Sequence, residues 1–323
     1  MSRAAPQERI GYFGKLPARS DFIKLAPDTG LMGVLDDWLA EVMSRLPDQA
    51  RWKQHYDTLA PLSFAFVGPR RHHAVAGHIV ASCDQAGRRF PFLLMRTLEV
   101  GDPAAFVTHA PLVLAPLFGY FTTMAAKVRA ATDPAAALQE IADAALPLDE
   151  QCGPALAAFM ETGTIASLAA LLGRADVREL ILALGLLLQP VMAIGAADIE
   201  KSLVLPLPQA AGARAAVAAF WMALIAPFLR LADLDLVLFV TDIDAQPALV
   251  VGFCDACVHS LHAIIDPLVG RRQLVRFADT GWVHDQLGVD VDVRALASYL
   301  EQPQLPLTLA RDLFLDTFIG ADL

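Results

Sequence analysis

The chain has 323 residues, 55% hydrophobic and 19% charged, which describes a folded protein with a sizeable core and excludes a disordered one. Its 35 acidic and 25 basic side chains leave a formal charge of -10, a surface that repels phosphate backbones, so no nucleic-acid partner is expected. Four cysteines in a chain of this length do not make a disulfide framework. The opening MSRAAPQERIGYF has no apolar h-region, and a cytoplasmic protein is the expectation. Ile10–Phe13 is predicted as a short strand ended by Gly14 and Pro17. Leu31, Leu35, Trp38, Leu39, Val42 and Leu46 then keep a helical period, capped by Asp28 or Thr29 and stopped by Pro47. Asp48 is predicted to cap a shorter helix that packs Trp52 and Tyr56 on a sheet.

Three strands are predicted next, over Leu62–Val67, Ala74–Ser82 and Phe90–Leu98, with turns at Gly68-Pro69 and at CDQAGRR. In the last of them both alternating sets are apolar, so both sheet faces should be covered. Asp102-Pro103 starts a helix running toward Arg129, bent or interrupted near Pro111 and Pro116. Residues 1–131 therefore read as an antiparallel sheet with helices around it, and the second start signal at Asp133-Pro134 marks a boundary. Residues 132–200 read as helical. Within them Leu180–Ala197 is uncharged and about as long as a membrane span, but Gln189-Pro190 breaks it, so a buried helix ending there is expected and no span. Residues 201–323 read as a second, smaller α/β unit: strands at Ser202–Leu205, Leu234–Thr241 and Ala248–Gly252, and helices through Phe220, Trp221 and Phe228, then Ala256–Ile265, Arg294–Glu301 and Leu307–Phe314. The class is α/β in its α+β form.

The segment GYFGKLPARSDF looks at first like half of a phosphate-binding loop. That loop needs four residues between its first glycine and Gly-Lys, then Ser or Thr. Here Gly11 and Gly14 stand too close, Leu16 follows Lys15, and Pro17 removes an amide a phosphate would need. The nucleotide reading fails. Cys254 and Cys257, with His259 beyond, lack a second ligand pair for zinc, and Asp255 between them raises thiol pKa values, so they read as free cysteines rather than a redox pair. His72-His73 reads as a solvated loop, since adjacent strand residues face opposite ways. Ser82 has no nucleophile elbow, and Asp36-Asp37 and Asp242/Asp244 have no partner set. No catalytic constellation, metal site or cofactor site is expected.

Two polar segments remain, GKLPARSDF (14–22) and SCDQAGRRFPF (82–92). Together they resemble the signature of the type VI secretion-associated TagF (ImpM) family. Gly14, Lys15, Leu16, Pro17, Arg19, Asp21 and Phe22 match its first motif; Ser82, Asp84, Gly87, Arg88, Phe90, Pro91 and Phe92 match its second. The helix carrying Trp38 and the later Trp52 and Tyr56 also resemble the family pattern. Ser20 stands where the family usually has glycine, and Arg89 where an aromatic is common. A positive φ at that glycine would strain Ser20 or shift the loop. The resemblance implies a longin- or profilin-like N-terminal domain, no enzymatic activity and no cofactor. It also implies a cytoplasmic accessory protein that holds back secretion assembly by binding the forkhead-associated (FHA) scaffold protein. The alternatives are a ligand- or nucleotide-responsive regulator, since longin- and profilin-like sheets can hold ligands, and, third, an enzyme built around Ser82 or Cys254.

The charges in the two motifs admit two physical roles. Arg19 and Arg88 each fork onto an aspartate, Asp21 or Asp84, pinning the first loop to the hairpin, because a partly buried arginine needs an acidic partner. Alternatively Lys15 and Arg19 project outward toward an acidic partner surface. Lys15 fits either role.

Overall fold

The computed structural model of the chain describes residues 9–149, 151–192, 201–232, 234–254, 256, 258–278 and 280–320. Its strands are β1 (Gly11–Gly14), β2 (Ile23–Leu25), β3 (Leu62–Val67), β4 (His73–Val80), β5 (Phe92–Glu99), β6 (Ser202–Pro206), β7 (Leu236–Ile243), β8 (Gln246–Gly252) and β9 (Leu274–Arg276). They form one sheet in the order β2-β1-β5-β4-β3-β7-β8-β6-β9. Every pairing is antiparallel except that of β6 with β9. The smaller α/β unit read in 201–323 thus shares its sheet with the N-terminal strands: β7 lies against β3, with Ala65 opposite Leu238.

The helices are α1 (Thr29–Arg45), α2 (Trp52–Asp57), α3 (Pro103–Ala130), α4 (Ala135–Asp143), α5 (Gly153–Thr162), α6 (Ile165–Leu172) and α7 (Val177–Leu188). After them come α8 (Ala211–Ala232), α9 (Val258–Ile265), α10 (Pro267–Gln273), α11 (Val283–Val289), α12 (Val291–Leu300) and α13 (Leu307–Phe318). They cover both sheet faces, which is why β3, LSFAFV, is buried throughout. Phe64 and Phe66 point into a core shared with Trp38 of α1 and Leu261 of α9. Ala65 and Val67 point the other way, into a larger core with α3, α7, α8 and α13. The same alternation splits Phe92 and Leu94 from Leu93 and Met95 in β5, as the sequence pattern predicts.

Asp28 caps α1 through the amides of Gly30 and Leu31, and Asp102 caps α3 through that of Ala105, with Pro103 in the first turn. Asp48 does not cap α2; it lies in a 3-10 turn, Leu46–Asp48. Helix α3 runs unbroken through Pro111 and Pro116, where the sequence predicts a bend or break. Its buried stripe, including Val113, Leu114, Leu117 and Phe121, is held along its length, and that burial outweighs the lost backbone bonds. Helix α3 and residues 211–229 of α8 are each long and apolar enough to cross a membrane, and here they pack side by side over the sheet. Helix α7 ends at Leu188, ahead of a 3-10 turn at Gln189–Met192, where the proline break is expected; residues 193–197 of that apolar run lie outside the described residues. Strands β2 and β9 and helices α10 and α11 have no counterpart in the sequence reading, being too short to display a period.

Candidate functional site

The two motifs, far apart in sequence, meet beside the end of β1. Gly14 has φ 129°, and a Cβ there would lie 2.0 Å from the carbonyl oxygen of Pro91, so only glycine fits against β5. This close approach turns the chain so that Lys15 and Leu16 point inward. Leu16 is fully buried and Lys15 is only 7% exposed. The Lys15 ammonium sits 3.0 Å from Oδ2 of Asp84, itself 1% exposed, and 4.9 Å from the centre of the Phe22 ring.

Asp84 is the hub. Its Oδ2 also accepts from Arg88 Nε at 2.7 Å, and its Oδ1 accepts from the amides of Ala86 at 3.0 Å and Arg88 at 2.9 Å. Burial alone would push this carboxyl up; the Lys15 ammonium and the Arg88 amide and guanidinium outweigh it and hold the group down at about 2. Gly87, with φ 77°, closes the turn by donating to the Asp84 carbonyl at 2.9 Å. Two further bonds tie the hairpin to the first loop: Arg88 Nη2 to the Ser20 carbonyl at 3.0 Å, and the Gln85 amide to the Arg19 carbonyl at 2.9 Å.

Below the hub, Ser82 Oγ donates to the Lys15 carbonyl at 2.7 Å, so its hydroxyl serves as a structural link. The Tyr56 hydroxyl accepts from the Ser82 amide and donates to the Ser82 carbonyl, both at 3.0 Å. Burial pushes that phenol's pKa up. Above the hub, Phe22 stacks on Phe13 with centroids 5.3 Å apart and meets the edge of Phe90 at 4.9 Å, yet remains 44% exposed. Pro17, Ser20 and Asp21 of the same loop are exposed.

The pin exists with different partners from those expected. Arg88 pairs with Asp84 as anticipated, through Nε alone and without the expected fork, but Lys15 is the buried second cation, which overturns its outward-facing alternative. Arg19 pairs with Asp133, just before α4, at 3.0 Å on the surface. Asp21 joins neither arginine; its Oδ1 accepts from the next residue's amide, Phe22, at 2.8 Å. Trp38 is away from the loops, packed on Phe64 and Phe66. Pro91 is buried and presents its carbonyl to the Lys15 amide at 3.4 Å. Ser20 has no positive φ, since the described non-glycine residues that do are Asp244 and Ala245, so the serine replaces the family's glycine without strain. Arg89 forks onto Asp57 at 2.7 and 2.6 Å and stands 5.9 Å over Trp52.

One reading is corrected here: Cys254 is disulfide-bonded, where a free thiol is expected from the sequence, while Cys83 and Cys152 are free and half-buried. The acidic neighbour Asp255 bears on thiolate reactivity, whereas disulfide formation depends on whether two sulfurs meet. Asp255 and Cys257 themselves lie outside the described residues. Among the described residues no group of three or more His, Cys, Asp and Glu side chains is placed to hold a metal.

Residues 11–145 match the family model of the TagF N-terminal domain, type VI secretion system-associated. This segment is a TagF N-terminal domain. The TagF domain spans both motifs, all of β1–β5 and α1–α4, and includes Asp133, the partner of Arg19. It marks the chain as type VI secretion-associated. Among solved structures the chain is similar to PA0076 from Pseudomonas aeruginosa PAO1, at 23% identity and a TM-score of 0.36. That match covers 43% of this chain and 64% of PA0076, under two thirds of its length. No curated protein matches the chain.

Tyr56, Asp57 and Asp133 are parts of the TagF site assembly that sequence reasoning did not assign to it. Tyr56 carried a signal as an aromatic on a helix face and in its resemblance to the family pattern, and Asp133 only as a helix start.

Proposed function

We propose that the chain is a non-enzymatic, cytoplasmic regulator that holds back assembly of a type VI secretion apparatus after translation, by binding its FHA-domain scaffold protein. A longin-like fold for residues 1–131 belongs to the same reading. The observation that carries it is Phe22, a 44% exposed ring held rigid by Phe13, Phe90 and the Lys15 ammonium. The buried motif charges are consumed inside the loop pair, where they fix shape. What they hold out to solvent is an aromatic ring on a loop whose Pro17 and Asp21 are exposed as well, an apolar anchor with polar neighbours in the chain of the kind a protein partner grips.

The test is capture of secretion components by the tagged chain from cells that encode the system. Recovery of the FHA-domain protein is expected, with a Phe22→Ala variant binding it at least about tenfold more weakly at an unchanged melting temperature. Recovery of no such protein, together with unaltered secretion on deletion of the chain, removes the reading.

A further inference from the structure

A cavity of about 370 Å³ opens between the sheet and the paired helices α3 and α8. It draws its walls from the TagF domain and from the C-terminal half alike. Its room comes from small side chains at Ala115 and Gly119 of α3 and at Ala215 and Ala218 of α8. This size and its mainly apolar walls suit a small organic molecule.

Part of the sheet floor is polar. His78 of β4 lies directly opposite Ser63 of β3, and Ser63 Oγ and His78 Nδ1 are 2.9 Å apart. His78 is only 2% exposed, and its other ring nitrogen, Nε2, has no hydrogen-bond partner within the protein. Buried polar atoms are nearly always satisfied, so an imidazole nitrogen left over at a cavity floor points to a ligand group. Burial holds the ring's pKa down at about 4, so the imidazole is neutral near pH 7. Two charged side chains of opposite sign, Arg214 and Asp242, also line the cavity, which favours an uncharged occupant over an ion of either sign.

We propose that this cavity binds an uncharged small molecule with an apolar body and one hydroxyl-type group that meets His78 Nε2. A hydroxyl both donates and accepts, so it satisfies Nε2 in either tautomer of the ring. The proposal is independent of scaffold binding and adds a ligand site to the chain.

Calorimetric titration of the full chain with 4-ethylphenol and with ethylbenzene tests it. The phenol is expected to bind at one site, at least about tenfold more tightly than the hydrocarbon, because a site built to hydrogen-bond a hydroxyl rejects the analogue lacking it. His78→Phe, which keeps the ring, should bring the two affinities together. Gly119→Leu should abolish both while leaving the fold intact, since a Cβ there meets nothing within 4 Å and leucine favours helix. No binding of either probe, equal affinities in the unaltered chain, or discrimination retained in His78→Phe overturns the proposal. Should His78→Phe fail to fold, undiminished binding of the phenol by Gly119→Leu overturns it equally.

Discussion

Gly14 and Gly87 both belong to the motifs and both have positive φ, yet the structure assigns them different costs of replacement. Alanine at Gly14 must hold φ near 129° and place its Cβ 2.0 Å from the Pro91 oxygen and 2.8 Å from the Phe92 Cα. Those are backbone atoms of the neighbouring strand and cannot rotate aside. Strain in such a backbone region costs about 1–3 kcal/mol. Forcing an extra methyl group into a packed site costs about 1–3 kcal/mol more. Gly14→Ala should therefore lose about 2–6 kcal/mol, a large part of the roughly 5–15 kcal/mol that holds a typical domain together. Gly87, at φ 77°, faces open space, and a methyl group added there would meet nothing within 4 Å. Only the left-handed backbone penalty applies, about 1–2 kcal/mol, reduced by the stiffer unfolded chain. Equilibrium unfolding in urea measures both. A Gly14→Ala loss no larger than that of Gly87→Ala would refute the claim that β1 is held against β5 by the missing side chain.

Two further outcomes test the layers around the hub. Tyr56→Phe removes the hydroxyl that accepts from the Ser82 amide; the Ser82 carbonyl keeps its bond from the Phe90 amide, so one buried N–H is orphaned, at a cost of about 1–3 kcal/mol by urea unfolding. Asp84 has a folded-state pKa depressed to about 2, so its stabilisation is complete above the unfolded carboxylate value of roughly 4 and disappears as pH falls through about 2. The stability advantage of the unaltered chain over Asp84→Asn should accordingly be constant from neutral pH down to roughly 4 and shrink below it, followed by circular dichroism across a pH series. An advantage that grew on acidification would contradict the pairing.

The sequence carried the local structure well wherever a period or a cap was long enough to read. The cap at Asp28, the Asp102-Pro103 start and the alternation in β5 all appear where the residues place them. So does the end of α7 ahead of Pro190. The site was legible as a set of residues: two motifs, their aspartates and their arginines. It was not legible as a set of partners. Arg19 had two aspartates within the motifs and took neither, because Asp133 is brought beside it by the return of the chain from α3.

By itself, the amino-acid order determined the longer strands and helices and the faces they bury, because propensity, capping and hydrophobic period act over a few residues, and its two charged motifs resemble those of the TagF family. Only the tertiary structure decided that Lys15 turns inward to Asp84, that β7 extends the N-terminal sheet, and that α3 and α8 roof a cavity over His78. Each of these rests on contacts between residues distant along the chain, and such contacts form only where packing brings the surfaces together.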